Sequence, residues 1–403
     1  MKDNSICIVA AQHDLYDDRC YWKQAVSLKN AGYRVYYIII GEKEEEEGIT
    51  NEGIYYKLVH QKRYFANRYF NFIYKKLFYK KEQFKVLFKA CKEVNANLYQ
   101  IVDLHPNRII EKLKNLKKKP KLVYDIHEQA YSFYLDLIMR KWRIPKIIKK
   151  GYASYIQNWE YKKAALHDFI IVTDDALKNR IEKNIKNARV ECIYNYTDLG
   201  KYREYIPIEN KEYDIGYIGT VSEERGVMIF LEAINILSKK LSSFKAIIIG
   251  KPVNEEARKK IDRYIFTNSL EKNVVFKGFI PYNEIQYYYN RIKIGTNPLL
   301  NLNKFQEIIP IKLFEFMNFG MPIIASEHKY MCQYIRENDV GICIQAGNPK
   351  ILADKILFLL NNLQEMERYA KNGMKAVDEK YNWSIMEKKY IGIIDSLLNE
   401  NIS

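Results

Sequence analysis

The sequence predicts an α/β protein built from two consecutive parallel-sheet domains and a helical tail. Three observations predict it. Short apolar runs alternate with helical patterns over most of the 403 residues. Polar residues gather just after successive runs, and the alternation restarts beyond an aperiodic stretch. A chain of this length has room for two ordinary domains.

Residues 6–11 form a short apolar run, a buried strand by length. Residues 17–31 carry helical spacing at Trp22, Ala25, Val26 and Leu28 and stop at Gly32. Residues 33–40 form the next strand. Strand, helix and strand in this order make a βαβ unit and imply a parallel sheet. Residues 98–104, 121–126, 168–173 and 189–194 continue the series. Residues 197–213 lack periodicity and read as a linker. A second series follows at 213–219, 245–250, 273–279, 292–297, 322–326 and 340–344. The tail places Trp383, Met386, Tyr390, Ile393, Ile394 and Leu397 at helical spacing. The expected division is an N-terminal domain at 1–197, a linker at 198–212 and a second domain at 213–380. A helix at 381–403 is expected to pack back on the first domain. The acidic run at 44–47 reads as a solvated loop.

Composition narrows the function. Lys and Arg number 65 against 49 Asp and Glu, a formal charge of +16, which suits an anionic partner. An AT-rich codon bias would account for part of that excess, since Lys, Ile, Asn and 34 tyrosines are all abundant. The six cysteines are scattered with no C-x-x-C pair. That argues against a zinc site or a disulfide framework and for reduced thiols in a cytosolic protein. There is neither a signal-peptide pattern nor an apolar stretch long enough to span a bilayer, so a soluble or peripheral protein is expected.

Candidate ligand groups stand at strand ends: His13, Asp17, Asp18 and Arg19, then His105, His127 and Glu128, Asp174, and Asn195. Open parallel sheets bind ligands outside the carboxyl ends of their strands. The richest stretch lies in the second half, from Glu307 to Ser326. It reads as a loop, a helix starting near Pro310, a stop at Gly320 and a buried strand. Lys312 stands at the helix start, where free N–H groups and the dipole attract anions.

These residues resemble a known family. Asp214-Ile215-Gly216-Tyr217-Ile218-Gly219, continuing through Arg225-Gly226, is similar to the opening of the donor-binding domain of retaining GT-B glycosyltransferases of family 4. Val275-Phe276-Lys277-Gly278-Phe279, Thr296-Asn297-Pro298 and Ile311-Lys312-Leu313-Phe314-Glu315 follow in that family's order. Asp103-Leu104-His105 and Tyr124-Asp125-Ile126-His127-Glu128 resemble its acceptor domain. The resemblance implies two Rossmann-like domains facing a cleft. A nucleotide-diphosphate-sugar, UDP-sugar in the first place, would bind the second domain, and a glycan or lipid-linked acceptor the first. It also implies no metal and no cofactor, with retention by front-face attack assisted by the leaving phosphate.

On this resemblance His127, Arg225 and Lys312 are the expected catalytic residues. Arg225 and Lys312 would neutralise the pyrophosphate, helped by the backbone N–H groups of Ile309 and Ile311. His127 would contact the donor sugar or the acceptor. Glu315 would grip the ribose hydroxyls. Glu307 would hold hydroxyls of the transferred sugar or be a plain surface residue. Gly219, Lys251 and Phe279 complete the donor side. His13, Arg19, His105 and Asn195 make up the acceptor side, with Asp103 and Asp125 orienting the histidines or satisfying buried backbone. Ala10-Ala11-Gln12-His13 stands where the family has a glycine pair.

The segment from Lys57 to Lys92 holds 11 basic residues, one acid and ten Phe or Tyr. Such a composition suits an anionic membrane surface, or an ordinary helix with buried aromatics; nucleic acid is not expected. Residues 139–150, with Trp142, extend it. The expected location is the inner face of the plasma membrane, in work on bacterial surface polysaccharide. The alternatives are a non-catalytic GT-B-like binding protein and a sugar-nucleotide epimerase of the same fold.

Overall fold

The computed structural model describes residues 4–11, 13–41, 45–60, 80–127, 146–198, 202–204, 206–302, 305–306 and 308–400. Glu128, Glu307, and the basic stretches at 61–79 and 139–145 lie outside the described residues. The chain divides into two compact units: Met1–Asn195 with Met386–Ser403, and Tyr196–Ile385.

Unit one is built on a sheet of order β3-β4-β2-β1-β5-β6-β7-β8. Its strands are β1 (Ser5–Ala11), β2 (Arg34–Gly41), β3 (Glu46–Ile49), β4 (Tyr55–His60), β5 (Leu98–Val102), β6 (Lys121–Ile126), β7 (Phe169–Val172) and β8 (Val190–Cys192). All pairs are parallel except β3 with β4. β1 lies at the centre and is buried at every residue, so it reads as one apolar run without alternation. Strands added after β1 go to one side through β2 and to the other through β5. Here the order reverses, and a ligand crevice is expected beyond the carboxyl ends of β1 and β5.

Two local expectations are corrected. The acidic run is not a loop throughout: Glu46 and Glu47 open β3, which pairs antiparallel to β4. Its charges sit on an edge strand, where they discourage further pairing, and Glu47 meets Lys57 at 3.0 Å. Residues 17–31 are not one regular helix. Asp18–Ala25 is a π-helix, and only Val26–Asn30 is α-helical. The side chain of Asp17 caps it by accepting from the backbone of Arg19 and Cys20. The wider turn lets Arg19, Lys23 and Gln24 all turn inward, and all three are buried. In the described part of the basic segment, the helix Lys80–Val94 buries Phe84, Leu87, Ala90 and Cys91 against the sheet, as an ordinary amphipathic helix does.

Unit two has a parallel sheet of order β11-β10-β9-β12-β13-β14. The strands are β9 (Tyr213–Ile218), β10 (Ala246–Ile249), β11 (Val274–Gly278), β12 (Ile292–Asn297), β13 (Ile323–Ser326) and β14 (Gly341–Ile344). The order reverses between β9 and β12. The helix Val227–Ser238 packs Phe230, Leu231, Ile234 and Leu237 into a core with Ile215, Ile248 and Ile294. Lys211, within the stretch read as a linker, is buried and donates to the carbonyls of Ile292 and Phe319. Burial pushes its pKa down to about 8. Cys332 and Cys343 are joined as a disulfide, which corrects the reduced-thiol expectation for this pair; Cys7, Cys20, Cys91 and Cys192 are free and buried. No described helix is long and apolar enough to cross a membrane.

The tail helix enters the polar interior of unit one. Tyr390 is fully buried and its hydroxyl donates to Gln100 Oε1 at 2.5 Å. Replacing Tyr390 by Phe removes that donor from a buried acceptor. We expect a loss of about 1–3 kcal/mol in urea unfolding; an unchanged midpoint would show the bond contributes nothing.

Candidate functional site

In unit one the polar groups meet where β1, β5 and β6 end. Asp103 follows β5 in a left-handed conformation (φ 58°). This turns its carboxylate back over the strand ends, where Oδ1 accepts from the backbone N–H of His127 at 3.0 Å. Its Oδ2 lies 3.2 Å from His13 Nε2, while His13 Nδ1 lies 3.2 Å from Asp17. Burial opposes a charge on His13, and the bonds to Asp103 and Asp17 outweigh it, raising its pKa to about 10. Asp103 and Asp17 are both held below the usual carboxylate range against burial, Asp103 by the charge of His127 and the bond to His13, and Asp17 by the bond to and charge of His13, with a smaller part from His127. His13 is thus a cation clamped between two carboxylates.

Asp125, at the end of β6, is completely buried. Burial alone would raise its pKa, but the charges of Arg19 and His127 and the bond from Gln24 hold it down. Arg19 is the hub: its Nη2 donates to Asp125 at 3.1 Å, its Nη1 to Ile193 O at 2.9 Å, and its Nε to His127 Nε2 at 3.1 Å. His127 Nε2 also lies 3.0 Å from Asp125 Oδ2, so the ring nitrogen sits between the Arg19 guanidinium and the buried carboxylate. Gln24 and Gln100 donate to the other oxygen of Asp125, at 2.6 and 3.1 Å. Asn195 accepts from the buried ammonium of Lys23 at 2.9 Å, which also binds Asp18. The structure therefore joins His13, Arg19 and His127 in one network. Arg19 is buried, and its guanidinium donates to Asp125, Ile193 O and His127 within that network. His105 lies apart, its ring 5.3 Å from that of Phe84.

His13, Cys20 and His127 bring possible metal-ligand atoms within 4.8 Å of one another. The donor set fits a metal poorly. Both nitrogens of His13 already face carboxylates, and Arg19 points its charge at His127 Nε2. Burial and the nearby Asp17 keep Cys20 a thiol.

In unit two the candidate groups meet at the end of β9. Gly219 has φ 127° and is approached by the Lys312 side chain; a Cβ there would collide with Lys312 Nζ. Only glycine allows this approach. Lys312 lies in the first turn of the helix Ile311–Asn318, whose N-terminus no side chain caps. Burial pushes the pKa of its ammonium down, Glu315 pushes it up and Arg225 pushes it down again, so the three groups share one electrostatic neighbourhood. Arg225 leads into the helix Val227–Ser238 and its guanidinium stands 5.9 Å from the centre of the Phe305 ring. Glu315 is buried and accepts from Tyr289 Oη at 2.5 Å. Ile309 and Ile311 flank Pro310 at the helix start and are half-buried. Lys251 is exposed, its carbonyl accepting from Val221 N–H; Phe279 is also exposed. Neither is brought to Lys312 by any contact among the described residues.

Two residues escaped the sequence reading. Tyr289 is the partner that makes a buried Glu315 tolerable. His328, beyond β13, is buried; Nε2 lies 3.4 Å from Leu299 O and Nδ1 has no hydrogen-bond partner among the described residues. Its ring lies 6.4 Å from Phe305. The only sequence signal was its place at a strand end.

Comparison with known proteins follows the same division. Residues 200–376 match the family model "Glycosyl transferases group 1". An uncharacterised glycosyltransferase of Methanocaldococcus jannaschii is 26% identical over 227 residues, 56% of this chain and 58% of its own length. The amylovoran biosynthesis glycosyltransferase AmsK of Erwinia amylovora is 26% identical over 181 residues, 45% of this chain and 44% of its own. The chain thus spans about half the length of the curated relatives it matches. Among solved structures, Anabaena Alr3699/HepE in complex with UDP-glucose superposes with a TM-score of 0.66 at 13% identity, over 97% of this chain and 99% of that one. That likeness shows the fold, two Rossmann-like sheets of GT-B type.

The His13 clamp has a pH signature. Its pKa is raised from 6.5 to about 10 on folding. Its contribution is complete below pH 6.5 and is lost as pH rises through 10. Denaturant midpoints measured from pH 6 to 9.5 should fall, and His13→Gln should flatten that fall. An equal slope in both proteins would remove the charge from His13.

Proposed function

We propose, from the premise that residues 200–376 form a glycosyl transferases group 1 domain, that the protein is a retaining glycosyltransferase. It moves a sugar from a nucleotide-diphosphate-sugar, UDP-sugar in the first place, to a glycan or lipid-linked acceptor of bacterial surface polysaccharide. The reading is supported above all by the convergence of Lys312, Gly219 and Arg225 at the end of β9.

The chemistry follows from charge. Breaking a glycosyl–phosphate bond leaves negative charge on the nucleoside diphosphate. Arg225 offers a planar fork of donors and Lys312 a compact ammonium, and neither forms an ion pair among the described residues. Together with the uncapped helix start they supply the positive field that a divalent cation would otherwise provide, so the reaction needs no metal on this reading. Glu315 opposes the downward push of burial on the Lys312 ammonium, and on this reading its carboxylate grips the ribose hydroxyls. Front-face attack lets the departing phosphate take the acceptor's proton, which leaves the protein to position the reactants. In unit one His127, oriented by Arg19, is the acceptor-side contact. UDP-glucose in the solved HepE complex and the polysaccharide role in the AmsK name support the donor and product classes. The basic segment from Lys57 to Lys92 would hold the enzyme at an anionic membrane surface on the cytoplasmic face, near a lipid-linked acceptor.

A melting-temperature panel with UDP, GDP, ADP and CMP tests the donor class: UDP should raise the midpoint most, through ligand linkage. A larger rise with another nucleotide would replace UDP. Lys312→Ala and Arg225→Ala should each cost about 10²–10³-fold in transfer rate without added metal. Full activity in either variant would refute the donor-site assignment.

A further inference from the structure

We propose that unit one carries a separate subsite for a negatively charged sugar residue, phosphorylated or carboxylated, of the acceptor glycan. It is the cavity between the 3-10 turn His105–Ile109 and the helix Lys146–Ala164. The inference rests on the transferase reading only for naming its occupant part of the acceptor.

The cavity measures about 300 Å³ and is lined by Leu104, His105, Arg108, Tyr155, Ile156, Trp159 and Lys163. That volume is at the lower end for small-molecule sites, enough for one sugar-sized group and too small for a macromolecular segment. Tyr155, Trp159 and Lys163 recur every fourth residue, so the helix presents them on one face. Tyr155 is 64% exposed, a flat apolar surface of the kind that packs on the C–H face of a pyranose.

Charge selects among sugars. Among the described residues no carboxylate lines the cavity, while two cations, Arg108 and Lys163, do. Lys163 is already paired with Glu111 at 2.7 Å. Arg108 forms no ion pair among the described residues. Its guanidinium is held between Phe84, 5.2 Å away, and Trp159, 5.8 Å away. With its carbon set near both rings, the guanidinium has the planar donor fork that suits a phosphate or carboxylate in two-point fashion. The neighbouring acid, Glu160, is buried, accepts from the Tyr124 hydroxyl and has its pKa raised by burial to about 7.

Location supports an acceptor role. His105 is two residues beyond Asp103, which touches both His13 and His127. Two residues reach at most about 7 Å. The cavity therefore adjoins the acceptor-side network at roughly the distance of the next sugar in a chain.

The probes are α-glucose 1-phosphate, glucuronate and neutral methyl α-glucoside, titrated calorimetrically into full-length Lys312→Ala protein with UDP present. This background suppresses binding at the donor site. Both anions should bind, methyl α-glucoside at least tenfold more weakly. Arg108→Ala should weaken the anions about tenfold or more, and Arg108→Lys, which keeps the charge but loses the fork, should fall between. In the protein with native Lys312, Arg108→Ala should leave the melting shift with UDP intact. Equal anion affinity in Arg108→Ala, or equal affinity for the neutral glucoside, would overturn the subsite. So would binding to phosphatidylglycerol vesicles that depends on Arg108 when the soluble anions do not bind; the cavity would then be a lipid-headgroup site. Loss of the UDP shift in the unmutated protein would count against the transferase reading and leave the anion titration to be judged alone.

Discussion

A carboxylate with no access to water, Asp125, sets the terms for unit one. An isolated buried charge costs several kcal/mol even after the surroundings relax, and removing one partner of a buried pair typically costs about 3–5 kcal/mol. Asp125 therefore has to be surrounded by donors. Arg19 arrives from the segment after β1, Gln24 from the same segment, and Gln100 from β5. The wider turn of the π-helix narrows the arc over which Arg19, Lys23 and Gln24 point, and brings two of them, Arg19 and Gln24, onto Asp125. Tyr390 extends the network to the tail helix through Gln100.

That constraint passes to the chemistry through His127. Its ring is fixed from one side by Arg19 Nε and its backbone by Asp103. The Asp103 carboxylate also carries half of the clamp on His13. His127 and His13 are thus held by groups more deeply placed than themselves, which is how precise geometry survives at a strand end. Unit two solves the opposite problem. Among the described residues Arg225 and Lys312 form no ion pair with a carboxylate, and Pro310 at the start of the helix Ile311–Asn318 provides no side-chain cap.

Much of this was legible in the sequence for a physical reason. Strands buried on both faces leave uninterrupted apolar runs, and turns between them need polar or small residues, so β1, β2, β6 and most of unit two read directly. Lys312 and Glu315 also announced themselves, because a cation at a helix start and an acid on an apolar face each contradict local preference. What escaped depends on partners distant in the chain. The edge hairpin β3–β4 hid behind its acidic residues, and the π-helix behind spacing that α-helices share. Arg19 looked like a ligand contact because its partners come from residues more than a hundred positions away. The pairing of Cys332 with Cys343 requires knowing that a helix packs beside β14. Arg108 and Trp159 stood out in no pattern, since only the packed turn and helix bring them together.

The two sheets share a device and use it differently. Each reverses its strand order once, and the polar groups gather at that reversal. In unit two Lys312 and Arg225 gather at the carboxyl end of β9, beside that reversal, and on the proposed function they would answer a generic demand, the charge of a diphosphate. In unit one the reversal is filled by a closed network around Asp125, and variety is confined to what lies just beyond it. His105, Arg108 and the face of Tyr155 and Trp159 occupy that outer position. They can change with the acceptor without disturbing the buried charges on which the sheet depends.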